Sequence, residues 1–288
     1  MSWVAAVARL RARREPGVLV TVATVRGHAP RRAGAKLVVG RTETWGSIGG
    51  GNIEAVAIDR ARELSGTAGP EPEPEMMEFA LNDKVTGRHG VQCCGGSVTV
   101  LLEPLPVVQA VAVFGIGHVG LELARILARH DLDLHLTDSR PDMLTGERLG
   151  VLADAVAQIH VHHTPLLPEE VLSELPPGAH VLIMTHDHAE DAALCDAALR
   201  TTGLGSIGLI GSSAKWARFR QRLAAEGGHD AAAIARIKTP IGTAGITGKE
   251  PATIAVSVAA DLLRTFEQTV LQEVPDPVDA ELRLRAPA

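Results

Sequence analysis

The chain has no tyrosine at all, and aromatic residues make up only 2% of its 288 positions. A surface that stacks unpaired bases needs such rings, so their scarcity argues against single-stranded nucleic acid as a partner. Positive charge is not in excess either. Against 28 Lys and Arg stand 34 Asp and Glu, a net charge of −6, which is the wrong sign for gripping a phosphodiester backbone. Three cysteines, two of them adjacent, cannot build a disulfide framework. No apolar run is long enough to span a membrane, and Met1-Ser2-Trp3-Val4 lacks the charged start of a signal peptide. These absences predict a reduced, cytoplasmic protein with no nucleic-acid or membrane partner. What is present is ordinary for a globular chain, 45% hydrophobic and 22% charged, and the length suits two domains with their own cores.

The most informative stretch lies mid-chain. Val111 to Phe114 is a buried-strand pattern, followed by Gly115-Ile116-Gly117-His118-Val119-Gly120, which is G-x-G-x-x-G, and then by helical spacing from Leu121. In such a fingerprint Gly115 permits a tight turn, Gly117 admits a phosphate to backbone N–H groups, and Gly120 lets helix and strand approach closely. The following helix N-terminus adds donors and partial positive charge. A second strand at 133–137 ends at Asp138, the place of a ribose-binding carboxylate. Further strands are expected at 158–161, 180–184 and 206–210, with helices at 168–175, 189–200 and 213–225. This alternation predicts a doubly wound parallel sheet of Rossmann type. Pro251 opens a last helix through Phe266.

About a hundred residues of different character precede it. Trp3, Val4, Val7 and Leu10 fall at helical spacing, and residues 18–25 and 36–39 read as strands. A glycine-rich turn, Gly46 to Asn52, leads into a helix over 53–64. The strand 97–102 comes before Pro104-Leu105-Pro106, which marks the boundary. The expected organisation is an N-terminal α/β domain over 1–105, a Rossmann-like domain over 106–273, and a Pro-containing tail over 274–288.

Several clusters admit two readings each. Gly49-Gly50-Gly51 is either a second anion nest or a sharp turn that only glycine can make, with Glu54 complementing the helix dipole. Cys93-Cys94 in a Gly-rich loop is either a pair of small buried residues or a thiol for soft chemistry, since the spacing is not that of a zinc pair. His186-Asp187-His188 falls at the carboxyl edge of the sheet, where metal binding competes with simple helix capping by Asp187 or Asp191. His160 and His162 share one face of a strand, a solvated edge. Ser212-Ser213-Ala214-Lys215 fits S-x-x-K, but opening a helix after a strand it reads as a cap.

Taken in order, these pieces resemble the xanthine dehydrogenase accessory protein family, XdhC/CoxI. The resemblance rests on Gly27-His28-Ala29-Pro30-Arg31 with Gly34-Ala35, Gly46 to Gly51 with Glu54, Gln92-Cys93-Cys94-Gly95-Gly96, and the fingerprint. It continues through Met184-Thr185-His186-Asp187, Gly208 to Ser212 with Lys215-Trp216, Pro240-Ile241-Gly242 and Thr253 to Ser257. His28 and Thr243-Ala244 depart from the family pattern. The resemblance implies a non-catalytic chaperone that holds molybdenum cofactor (molybdopterin) while a cysteine desulfurase helps install its sulfido ligand. Delivery to a hydroxylase such as xanthine dehydrogenase then follows, with a homodimer as a possible form. Cofactor-binding residues would be Gly49, Gly50, Gly51, Cys93, Cys94, Gly115, Gly117, Gly120, Asp138, His186 and Asp187. The competing readings are an NAD(P)-dependent oxidoreductase, supported by the fingerprint and Asp138, and a metal hydrolase built on His186 and His188. The absence of tyrosine removes the Tyr-Lys form of the former.

Overall fold

The computed structural model describes residues 1–66, 73–81 and 96–272. Cys93, Cys94 and the tail over 274–288 lie outside the described residues. The chain divides into a unit built on Met1–Val107 and another on Val108–Glu267.

The first unit begins with α1 (Trp3–Arg13), β1 (Gly17–Arg26), β2 (Lys36–Gly40) and β3 (Thr44–Gly46). It continues with α2 (Gly51–Gly66), β4 (Glu75–Leu81) and β5 (Gly96–Leu105). The five strands form an antiparallel sheet in the order β3-β2-β1-β5-β4. Alternation along β1 sends Val18, Val20 and Val22 to one face, where Ile53, Ala57, Ala61 and Leu64 of α2 cover them. On the other face Ala6 and Leu10 of α1 pack on Val38, with Leu19 and Trp45 beside them. The buried stripe of α1 is thus rotated from the expected one. Trp3 and Val4 are exposed, and the Trp3 ring lies 5.1 Å from the Lys36 ammonium. β5 continues through Pro104, which tolerates a residue without N–H because the ladder with β4 ends at Leu102.

The second unit is built of β6 (Ala110–Phe114), α3 (His118–Leu127), β7 (Asp133–Asp138), α4 (Gly146–Leu149), β8 (Gln158–His163), α5 (Glu170–Glu174) and β9 (His180–Ile183). Then come α6 (His188–Arg200), β10 (Ser206–Leu209), α7 (Ser213–Ala225), α8 (Ala231–Ile234), β11 (Ile237–Lys238) and α9 (Pro251–Gln272). All strand pairs are parallel, in the order β11-β10-β9-β6-β7-β8. The expected Rossmann-like sheet is present, and its order reverses between β6 and β9, the switch point at which such sheets bind ligands. One face is covered by Leu123, Ala124 and Leu127 of α3 with Ala255, Val258, Ala259 and Leu262 of α9. The other is covered by α5, α6 and α7, through Leu172, Leu194, Cys195, Phe219 and Leu223. Burial among these side chains pushes the Cys195 thiol up to about 12, so it packs as a small apolar group.

At the free edge, β8 carries His160 and His162. Both rings stack on His135 of β7, with centroids 4.5 and 5.3 Å away, and His135 Nδ1 lies 3.1 Å from His162 Nε2. The shared face is as the alternation predicts.

Candidate functional site

The fingerprint occupies the end of β6 and the start of α3, at the switch point. Gly115 has φ +101°, and a Cβ there would sit 2.3 Å from the Met184 carbonyl oxygen. A Cβ on Gly120 would sit 2.1 Å from the Gly115 oxygen. Both positions therefore need glycine, one because the loop after β9 presses on the turn and the other because α3 presses on the strand. Gly117 is different, since a Cβ there would meet nothing within 4 Å. It opens α3 without a side-chain cap, and the first turn of α3 holds no acidic residue. By contrast Ser2 caps α1, Asp187 caps α6 and Ser212 caps α7. No side chain caps the first amides of α3, and the position beside Gly117 is open, a combination that suits an anion at a helix start.

Asp138 lies at the end of β7, 2% exposed. One oxygen accepts from the Ile116 N–H at 2.7 Å and from Arg140 Nη2 at 2.9 Å; the other accepts from the Arg140 N–H at 3.0 Å and Nε at 2.9 Å. Burial alone would raise the Asp138 carboxyl, but the Arg140 guanidinium and the two backbone N–H groups outweigh it and hold the carboxyl below its ordinary value. Asp138 thus braces the glycine turn, and a ribose hydroxyl would compete with the Arg140 fork for it. From the other side Arg148 Nη2 donates to the Ile116 carbonyl at 3.1 Å, while its buried Nε has no partner among the described residues.

The His186–Asp191 segment follows β9 at the same edge. His186, Asp187 and His188 are exposed, and Asp187 Oδ1 accepts from the Ala189 and Glu190 N–H groups, so this residue caps α6. Among the described residues no group of three or more His, Cys, Asp and Glu is placed to hold a metal ion. Glu190 accepts from Ser139 Oγ at 3.0 Å, and burial raises its carboxyl despite that bond.

Behind it lies a pair that sequence reasoning missed. Asp191, fully buried, accepts from Lys215 Nζ at 2.5 Å and from the Thr185 N–H and hydroxyl at 3.0 and 2.8 Å. Lys215 also donates to the Ile210 carbonyl at 2.9 Å. One ion pair therefore ties the loop after β9 to the end of β10. The Ser212 hydroxyl accepts from the Lys215 N–H at 3.3 Å, so S-x-x-K is a helix cap, as expected.

In the first unit Gly49, Gly50 and Gly51 all have positive φ, at 135°, 74° and 63°. The concavity they help to form is filled from within. Glu54 Oε2 accepts from the Ser47 hydroxyl at 2.6 Å and from the Ile48 and Gly50 N–H groups at 3.0 Å each. Burial would raise the Glu54 carboxyl, but these bonds more than offset it and keep it below its ordinary value. The nest and the sharp turn are both present, and the nest's anion is the chain's own carboxylate.

No helix among the described residues is long and apolar enough to cross a membrane. The chain matches the XdhC Rossmann domain over residues 111–262 and the XdhC and CoxI family over residues 10–79. It is 24% identical over 261 residues to the uncharacterized protein YqeB of Escherichia coli K12, covering 89% of this chain and 45% of that protein. The chain thus spans a little under half the length of that curated relative. A crystal structure described as a xanthine dehydrogenase from Bacillus halodurans is 20% identical, with a TM-score of 0.45 over 93% of this chain and 96% of that one.

Proposed function

The chain belongs to the XdhC and CoxI family, and we propose that it is an accessory protein that holds molybdenum cofactor and passes it to a molybdenum hydroxylase of the xanthine dehydrogenase type. The observation that carries this reading is the uncapped start of α3 beside Gly117, where a side chain would meet only open space. The phosphate of molybdopterin is the group such a cradle accepts. The cofactor is cargo here, and the chain's part is to bind it through backbone donors, with Arg148 adding positive charge behind the turn. Engagement of Asp138 by Arg140 and Ile116 also supports a ligand without ribose.

Two measurements test the proposal. Protein purified from cells actively making the cofactor is expected to carry molybdopterin and molybdenum but no nicotinamide; bound nicotinamide without molybdopterin would replace this reading with a dehydrogenase. The proposed role of Cys93 and Cys94 is contact with the sulfur-rich metal centre during sulfuration by a cysteine desulfurase. At least one of Cys93→Ala and Cys94→Ala is expected to give folded protein that no longer activates the client hydroxylase. Full activation by both variants would remove the thiols from the mechanism.

A further inference from the structure

A cavity of about 700 Å³ opens beside the end of β10, within the second unit. Its size is that of a small-molecule site. Ile210, Pro240, Ile241, Ile246 and Ile254 give it apolar walls. Gly242, Gly245 and Gly248 line it as well. The Ser257 and Thr253 side chains lie against the first and last, but a Cβ on Gly245, where φ is +94°, would meet nothing within 4 Å, so the peptide groups there carry no side chain over them. The segment is seated firmly at its base: a Cβ on Gly208 would come within 2.7 Å of Ile241 Cγ2, and Ser257 Oγ accepts from the Thr243 N–H at 2.9 Å. Lys249 stands at the rim, exposed and outside any ion pair among the described residues.

Such walls restrict what can enter. A plain hydrocarbon would strip water from the bare peptide groups without replacing its hydrogen bonds, and a heavily charged metabolite would gain little from five aliphatic side chains. A flat ring system with polar edges satisfies both surfaces. Position supplies the second argument. β10 and β6 are separated only by β9, so two inter-strand spacings, roughly 10 Å, divide the ends of the two strands. The Asp191–Lys215 pair links the Thr185 loop, against which Gly115 packs, to the Ile210 carbonyl at the cavity wall.

We propose that the fingerprint and this cavity are two ends of one elongated site, which takes a phosphorylated fused or planar heterocycle with its phosphate at the start of α3 and its ring in the cavity. The inference rests on the reading above that the fingerprint receives a phosphate, and it adds where the rest of the ligand goes. Ala244 and Thr247 both line the cavity, are exposed, and lack positive φ, so a large side chain at either fills the space without backbone strain.

The test titrates wild type, Ala244→Trp, Thr247→Trp and Gly117→Val with molybdopterin, NAD⁺, NADP⁺ and inorganic pyrophosphate, with melting temperatures measured alongside. At least one of the three heterocycles is expected to bind wild type, and the tryptophan variants to weaken it tenfold or more while leaving pyrophosphate affinity unchanged. Gly117→Val should weaken heterocycle and pyrophosphate alike. If either folded tryptophan variant binds the heterocycle as wild type does, or if none of the three heterocycles binds wild type, the two-ended site is wrong. Equal weakening of pyrophosphate by the tryptophan variants would also overturn it. The two readings fail separately. Binding of a nicotinamide dinucleotide alone, blocked at the cavity, would end the molybdopterin cargo reading and keep the site. Molybdopterin binding untouched by the tryptophans would do the reverse.

Discussion

Three glycines spaced as a fingerprint share one pattern and do different work. Gly115 and Gly120 are demanded by neighbours whose backbone leaves no room for a methyl group, at 2.3 and 2.1 Å from a carbonyl oxygen. Gly117 faces nothing within 4 Å and is free of positive φ. Substitution is therefore expected to affect the three positions differently. Gly115→Ala and Gly120→Ala should lower the melting temperature by several degrees, because carbonyl backbone must shift to admit the Cβ and Gly115 is also left-handed. Gly117→Val should melt within a degree or two of wild type while losing phosphate-ligand affinity. Thermal melts and ligand titrations on the three proteins check this, and a Gly117→Val protein as unstable as the other two would show that the second glycine is structural after all.

Whole elements were legible in the sequence where one local signal sufficed. The β-branched runs of β1, β2 and β6 and the capped starts of α6 and α7 appear close to their expected bounds. β3 and β11, of three and two residues, are too short for any periodicity and exist because a neighbouring strand supplies their hydrogen bonds. α5 keeps only Glu170–Glu174 of the expected 168–175, hemmed between Pro168 and Pro176. In the site, the fingerprint was readable because all its parts lie within ten residues. Asp191 and Lys215 were not, since they stand 24 positions apart and meet only once β9 and β10 lie side by side. Their isolation from water makes them interdependent. Lys215→Met alone should cost about 3–5 kcal/mol by leaving the Asp191 carboxylate buried and uncompensated, whereas the double change Lys215→Met with Asp191→Leu should cost less. Urea unfolding of the single and double variants measures this, and additive losses would mean that the pair is not coupled.

At the scale of the whole molecule, acid tolerance follows from a group far from the glycine turn. His180, 4% exposed at the start of β9, lies 2.8 Å from Ser206 Oγ and against Phe266, and burial pushes its imidazole down to about 4. An unfolded chain would take up that proton from about pH 6.5 downward. The native state resists it, so the stabilisation is complete above that pH and is lost as pH falls through the window to about 4. Replacing His180 by Gln should flatten that limb of the stability curve by about 3 kcal/mol between pH 7 and 4, as read from urea midpoints; parallel curves for the two proteins would refute it. The glycine turn at 46–51 has a further meaning for the molecule's capacity. Because Glu54 travels in the same chain as the amides it satisfies, that cradle is loaded in every copy and at every phosphate concentration, immune to starvation or excess. Of the two glycine turns, then, the one at 46–51 already holds its anion within the chain, and only the one at 115–120 is left for the phosphate ligand proposed above.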